Sequence, residues 1–486
     1  MEGPALNRVG IVMISAWSLS RMLESIGREF ARRGVEVVWL AESHLAEVKY
    51  GVDLSQAPRE YFTDWVRNGC TGELGGSGAN WRSLFPLIDR SSEFGWYRKK
   101  HWDWSSLPGQ LAGFFKAMIR KYGLDGLVHE NVSNAFAYGA AMAAQRAGIP
   151  YLGIGSSRLP GRFEIWHWCD DIGDRVALAM EALKRRSEPA EVEAAAGHYM
   201  RQWDSAPPDY MRGNRTSVRY SYVKHLLRKL DWIPRATRFW LSNEYDLAYS
   251  YKEPHPYVYA YYQVRRNILR RLRLPALARL VERPVPGERY FVYPLHFHPE
   301  ASTSVQAPYY AEEDAVVRAL SLTLPDGYRL YVKEHPNAAG FKPLVYYRRI
   351  AEMPNVRLLH WDVPVPPLLA AAEGVITLTS TMGYEALLMA RPVFLLGNVF
   401  YRVHPFAEQV RGFSEMADAL RRVAGVAKAV DSHAWIEANR RFVVAYWQTT
   451  YPGRVLGFVG GPEDPDPAPI VNALLSEWVS VRSAAG

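Results

Sequence analysis

The sequence predicts an α/β protein made of two doubly wound parallel-sheet lobes, with helices closing the chain. Three observations predict this. Short runs of Val, Ile, Leu and Tyr alternate with helix-period segments near the N-terminus, and they do so again from about residue 288. Glycines stand where the helices between these runs should stop. At 486 residues the chain is too long for one ordinary core.

The first lobe opens with a strand at Val9–Ile14, a polar turn at 15–20 and a helix from about Arg21 to Arg33 that Gly34 closes. A strand at Val35–Leu40 completes a β-α-β unit, whose crossover should be right-handed. The segment 70–104 is rich in Gly, Ser and Trp and reads as a loop. Its run Gly72-Glu73-Leu74-Gly75-Gly76-Ser77-Gly78 lacks the lysine of a phosphate-binding loop and follows no clear strand. A helix at Leu111–Lys121, a short strand at Gly126–His129, a small-residue helix at Ser133–Ala147 and a strand at Ile149–Ile154 follow. Residues 161–284 are helical, aromatic and basic, without clear alternation.

In the second lobe, strands are expected at Tyr290–Pro294, Tyr328–Val332, Val356–Leu359, Gly374–Leu378 and Pro392–Leu396. Helices should cover Ala311–Leu322, Tyr346–Glu352, Pro364–Ala372 and Gly383–Met389. The tail should carry helices near Phe413–Val423, His433–Thr449 and Ile470–Val481. The organisation that follows is a first lobe at 1–160, a helical bridge at 161–284, a second lobe at 285–430 and a helical tail at 431–486.

Composition bounds the function. Hydrophobic content of 48% and charged content of 22% are those of a globular protein. No apolar run is long and clean enough to span a bilayer, and the N-terminus does not read as a signal peptide. Cys70 and Cys169 are the only cysteines, which makes no disulfide framework and fits a reducing cytosol. The net charge of +8 is concentrated in 212–238 and in 263–283, where Arg265, Arg266, Arg270, Arg271, Arg273, Arg279 and Arg283 interleave with leucines. Pro275 is expected to break or restart that helix. The segment is either a solvated helix or a surface for anionic lipid, as in a protein held peripherally on the inner face of a membrane. No nucleic-acid-binding module accompanies the charge.

The chemistry gathers in the second lobe. The stretch 375–400 reads as strand, hydroxyl-rich turn, helix and strand, with Thr379, Ser380, Thr381 and Gly383 at the helix start. Unpaired N–H groups and the positive end of the helix dipole make that a site for phosphate. Lys333, Glu334, His335 and Pro336 end an earlier strand, and in a parallel sheet both turns lie at the carboxyl edge, where such folds bind ligands. His296 and His298 follow another strand on one side of the chain, with Glu300 and Ser302 beyond; donor or acceptor contact, metal binding and packing are all open to them.

Three blocks carry a resemblance: PLHFHPEAST at 294–303, KEHP at 333–336 and LTSTMGYEALLMARPVFLLGNVFY at 378–401. They resemble the bacterial capsule polysaccharide synthesis proteins, sugar transferases of the GT-B arrangement, in which two Rossmann-type lobes flank a cleft. The resemblance covers roughly residues 290–405. It implies a glycosyltransferase of capsular or surface polysaccharide synthesis that takes a nucleotide sugar, CMP-linked and acidic by preference or else UDP-linked, and a glycan or lipid-linked acceptor. It also implies that His335-Pro336 and Ser380-Thr381 hold the nucleotide phosphate and that Glu385 meets the ribose, although a glutamate there also suits the helix dipole.

Transfer to a hydroxyl needs a base or a carboxylate nucleophile. Glu130, just past a strand end in the first lobe, is the leading candidate, and His298 is the second catalytic candidate. Asp89, Glu93 and Asp103 lie in the loop. Asp464-Pro465-Asp466 sits in a proline-rich tail and reads as a solvated turn, so a metal-independent reaction without a cofactor is expected. A nucleotide-sugar epimerase and a non-catalytic carbohydrate-binding protein are the competing readings.

Overall fold

The computed structural model describes residues 6–14, 16–70, 104–169, 171–185, 189–204, 256–298, 300–424, 432–455 and 466–485, with isolated positions between 209 and 251. The glycine-rich run 72–78, Asp89, Glu93, Asp103, Asp464 and nearly all of 212–238 lie outside the described residues.

In chain order the elements begin with β1 (Arg8–Met13), α1 (Trp17–Arg32), β2 (Glu36–Ala41), α2 (Leu45–Tyr50), β3 (Arg59–Tyr61) and α3 (Phe62–Arg67). They continue with α4 (Leu107–Tyr122), β4 (Gly126–Glu130), α5 (Ala135–Ala147), β5 (Tyr151–Ser156) and β6 (Arg162–Trp166). Then come α6 (Ile172–Leu183), α7 (Ala190–Gln202), α8 (Pro256–Leu277), β7 (Arg289–Pro294), α9 (Ala301–Ser304), α10 (Glu313–Ser321) and β8 (Tyr328–Lys333). Next are α11 (Leu344–Ala351), β9 (Val356–Leu359), α12 (Val365–Ala371), β10 (Gly374–Thr377), α13 (Thr381–Leu388), β11 (Val393–Leu395) and β12 (Ala407–Gln409). The last are α14 (Phe413–Val423), α15 (Ser432–Gln448), β13 (Thr450–Pro452) and α16 (Pro467–Ala485).

These elements form two compact units. The first comprises residues 1–171, 207–260 and 450–486, and the second comprises 172–206 and 261–449. The bridge drawn at 161–284 is therefore shared between them. Its α6 and α7 pack on α15 in the second unit, while the tail beyond 449 belongs to the first.

The first unit holds a seven-stranded sheet in the order β13-β6-β5-β4-β1-β2-β3. Its centre is parallel, with β1 running from Arg8 opposite Glu36 to Met13 opposite Ala41. α1 buries Leu19, Met22, Leu23, Ile26 and Phe30, the stripe that a period of 3.6 places on one face. It lies so close on β2 that a Cβ at Gly27 would overlap the Trp39 ring. Two strands depart from the all-parallel expectation: β6 runs antiparallel to β5, and β13 antiparallel to β6. Only five residues separate β5 from β6, since Ser156 ends one and Arg162 begins the other with Gly161 left-handed between them, and a connection that short permits only a hairpin.

The second unit holds a six-stranded sheet in the order β12-β11-β10-β7-β8-β9, with every pairing parallel. Its core joins Phe291, Tyr293, Val332, Leu358, Ile376 and Phe394 from the strands to Val317, Leu320 and Tyr347 from the helices. The strand order reverses between β7 and β10, because β7, β8 and β9 progress one way and β10, β11 and β12 the other. Such a switch point opens a crevice at the carboxyl ends of the two central strands. Pro275 does not break α8, which runs on to Leu277; the proline sits in the last turn, and Ala278 N–H still reaches the Leu274 carbonyl at 2.9 Å. Among the described residues, no helix is long and apolar enough to cross a membrane.

Candidate functional site

The site lies at the carboxyl edge of the second unit's sheet. Three loops meet there, one after each of the adjacent strands β8, β7 and β10. The loop after β7 carries His296, His298, Glu300 and Ser302. The loop after β8 carries Glu334, His335 and Pro336, and the loop after β10 carries Thr379 and Ser380 and runs into α13. The sequence reading therefore brought together residues that are neighbours in the sheet though some 80 positions apart in the chain.

A buried carboxylate that sequence reasoning missed organises this edge. Glu313 opens α10 and is 2% exposed. Its oxygens accept from the Tyr293 hydroxyl at 3.1 Å, the His296 backbone N–H at 3.1 Å, His296 Nδ1 at 2.8 Å and His298 Nε2 at 2.8 Å. Burial works against its ionisation, but the two histidines outweigh burial and hold its pKa well below the usual carboxylate range. Only an acidic residue in the first turn of a helix marked it in the sequence, and that is a common pattern.

His296 is fixed as a staple. Its Nδ1 donates to Glu313, so its Nε2 accepts, and the donor is the Thr379 backbone N–H at 3.3 Å. The Thr379 hydroxyl donates to the Ser302 carbonyl at 2.8 Å, making a second tie between the β7 and β10 loops. His296, Thr379 and Ser302 thus shape the crevice instead of presenting free groups to a ligand. His298 differs from its catalytic expectation in the same way. Nε2 is held by Glu313, and Nδ1 lies 3.3 Å from the Thr303 hydroxyl, so both nitrogens are engaged within the protein. Glu300 is exposed at the start of α9, where its carbonyl accepts from Thr303 and Ser304. Among the described residues, no group of three His, Cys, Asp or Glu side chains is arranged to hold a metal ion.

The β8 loop supplies a different kind of group. Burial, with help from the nearby His296 and Lys333, lowers the His335 pKa to about 4, so the ring is neutral at neutral pH. Its Nδ1 accepts from the Asn337 N–H at 3.2 Å, which leaves the ring proton on Nε2 as a donor. Pro336 is exposed beside it. Lys333, expected among the phosphate ligands, is 4% exposed, and its ammonium is spent on the carbonyls of Trp361 at 2.7 Å and Glu334 at 3.2 Å. It braces β8 against the turn after β9 and does not point a charge at the crevice. Burial lowers its pKa to about 8.

At α13 the helix start has the expected form. Ser380 is the N-cap, with its hydroxyl accepting from the Met382 N–H at 3.2 Å and its own N–H donating to the Thr377 hydroxyl at 3.0 Å. Among the described residues, neither the N–H nor the hydroxyl of Thr381 has a hydrogen-bond partner. Thr381 is half-buried, so it can present two donors to an anion. Gly383 serves packing: its Cβ position is occupied by the Tyr401 hydroxyl, which donates to the Ser380 carbonyl and holds the cap in place. Glu385 is half-buried, one turn further along.

A pocket of about 300 Å³, counting its open mouth, lies between the β7 and β8 loops and α11. His298, Glu334, Phe341, Lys342 and Tyr347 line it. Burial raises the Glu334 pKa to about 7, although the Tyr347 hydroxyl and the His335 N–H, the latter at 2.7 Å, favour its ionised form.

Glu130 belongs to the first unit. It ends β4, where its carboxylate accepts from the Ser133 hydroxyl and its carbonyl from the Tyr151 hydroxyl at 2.8 Å. The cap of α5 is Asn134, whose side chain accepts from the Ala137 N–H at 3.0 Å, so Glu130 is not the capping residue. Asp466 accepts from the Ala468 N–H at 3.0 Å at the start of α16, which is the work of a turn residue.

Residues 231–434 match the family model for capsule polysaccharide biosynthesis proteins. The resemblance read from three short blocks therefore holds, over a longer stretch than those blocks span. The capsule polysaccharide export protein KpsS of Escherichia coli is 28% identical over 125 residues, which is 24% of this chain and 32% of that protein. The capsule polysaccharide modification protein LipB of Neisseria meningitidis serogroup A is 26% identical over 131 residues, 25% of this chain and 31% of that protein. The matches span about a third of the length of these curated relatives. Among solved structures, the beta Kdo 2,4 transferase KpsC of Thermosulfurimonas dismutans aligns at 14% identity with a TM-score of 0.36, covering 73% of this chain and 88% of that one.

Proposed function

We propose that this chain, matched over residues 231–434 to the capsule polysaccharide biosynthesis family, is a glycosyltransferase that moves a sugar from a nucleotide donor to a glycan or lipid-linked acceptor. What supports the reading is that Thr381, whose donors have no partner among the described residues, opens the helix after β10 at the carboxyl edge of a parallel sheet where the β7 and β8 loops also end, beside the switch point. As the glycosidic bond to the donor breaks, negative charge grows on the departing phosphate. In this reading the Thr381 N–H, the Ser380 and Thr381 hydroxyls and His335 Nε2–H stabilise that charge. A neutral histidine suits the task, since it donates without carrying its own charge into a buried site. Pro336 limits the turn that presents it, and Glu385 is assigned to the ribose hydroxyls. A CMP-linked acidic sugar is the favoured donor and a UDP-sugar the alternative. Glu130, on the first unit, is assigned as the base that takes the acceptor proton; the engaged nitrogens of His298 make that residue a wall of the pocket instead.

A thermal-shift panel of CMP, UDP and GDP tests the reading, because a ligand bound by the native state alone raises its stability. One nucleotide should raise the melting temperature, and Ser380→Ala with Thr381→Ala should weaken it at least about tenfold, equivalent to about 1.4 kcal/mol. Unchanged affinity in that double variant removes the site assignment. Incubation of the matching nucleotide sugar without acceptor, followed by sugar analysis, separates transfer from epimerisation. Failure of all three nucleotides to bind leaves a non-catalytic carbohydrate-binding role.

A further inference from the structure

α8 is built inside out over the part that belongs to the second unit, Tyr261–Leu277. Three of its arginines face the protein. Arg270 Nε donates to the Ala339 carbonyl at 2.8 Å and Arg273 Nη1 to the Phe341 carbonyl at 2.8 Å, while the guanidinium groups of Arg266 and Arg270 lie over the Phe341 ring at 3.9 and 4.5 Å. The opposite face is apolar and open to solvent: Tyr261 is 62% exposed, Val264 39%, Ile268 51% and Leu272 70%. At 100° per residue these four form one stripe. The exposed Arg265 flanks it on one side and the exposed Arg271 on the other. No acidic residue occurs between Glu253 and Glu282.

From this arrangement we propose that the solvent face of α8 docks on an anionic phospholipid bilayer, with the helix lying in the plane of the interface. A contiguous apolar stripe on a soluble face marks an interaction surface. Arginines on both borders of a helix that carries no acidic residue match the negative headgroups at the depth where the stripe would enter. A protein partner would need carboxylates on both sides of an apolar ridge, whereas a bilayer presents both features along any line. The surface is separate from the Thr381 and His335 site, so it stands or falls apart from the nucleotide reading.

Co-sedimentation of the full chain with vesicles tests it. Binding to vesicles containing phosphatidylglycerol should exceed binding to pure phosphatidylcholine at least about tenfold at low salt. Ile268→Ser with Leu272→Ser should lower partitioning by a similar factor. Arg265→Gln with Arg271→Gln should also weaken it and flatten its salt dependence. Neither pair should move any nucleotide shift, since all four side chains are exposed and none belongs to the candidate site. Vesicle binding that is absent in the parent, or equal in the parent and the serine variant, overturns the proposal. A parent that sediments as a dimer without lipid, and a serine variant that sediments as a monomer, would overturn it in favour of self-association.

Discussion

Glu313 is the residue on which the candidate site depends most. Four donors converge on its carboxylate, two of them histidine ring nitrogens. Glu313→Ala leaves the Tyr293 and His296 donors buried and unpaired, and it should cost about 3–5 kcal/mol, read from the urea midpoint. Glu313→Gln keeps the volume and one acceptor and should cost less. Glu334 has the opposite character, because burial pushes its pKa above the unfolded value, to about 7. The folded state therefore holds this proton more tightly than the unfolded state does. The stability it brings is present below the unfolded carboxylate pKa and is lost as pH rises through 7. At about 1.36 kcal/mol per unit the loss approaches roughly 3 kcal/mol. Glu334→Gln should flatten stability between pH 5 and 8, measured by denaturant titration at each pH; an unchanged slope would mean that other groups set it.

Elements were legible where the local pattern decided them. The five parallel strands β7 to β11 were each marked by a short apolar run with glycine, proline or a polar turn beside it, and the start of α13 by its serine and threonines. What escaped was set by tertiary context. α2, β3 and α3 are too short for a period to register, and β13 is three residues that pair only because β6 is there. Of the site, the carboxyl-edge loops could be read, while Glu313 could not, since its value comes from histidines 15 and 17 positions away. The commitment of Lys333 to carbonyls was hidden for the same reason: the Trp361 carbonyl belongs to another strand's turn. At this scale Gly383→Ala is informative. Its methyl would displace the Tyr401 hydroxyl that holds the Ser380 cap, which should destabilise by about 1–3 kcal/mol and weaken nucleotide binding as well. Loss of the melting temperature with nucleotide affinity intact would separate the cap from the ligand.

At the scale of the whole molecule, the last helix completes the first unit. α16 packs on α1, burying Ile470, Val471, Leu474 and Trp478, and Trp478 Nε1 donates to the Asp125 carbonyl at 3.2 Å. Glu477 meets His167 at 3.0 Å and also accepts from the Tyr451 hydroxyl. Four buried apolar side chains at about 1.5–3 kcal/mol each amount to most of what keeps an ordinary domain folded. Truncation after Thr449 should therefore leave 1–171 open to protease while 261–449 stays resistant, as limited proteolysis with fragment mapping would read. Equal resistance of both regions would assign α16 a peripheral part.

The position of β13 also has a consequence for synthesis. A ribosome delivers residues in order, and domains fold as their residues emerge. The sheet that begins at residue 8 lacks its outermost strand until residues 450–452 appear, whereas the second unit is complete at residue 449. The half of the protein made first is thus finished last, and its β6 edge waits, unsatisfied, through the making of nearly 300 residues. A nascent chain stalled there offers that edge to any extended strand nearby, so chaperone dependence should concentrate on the amino-terminal unit.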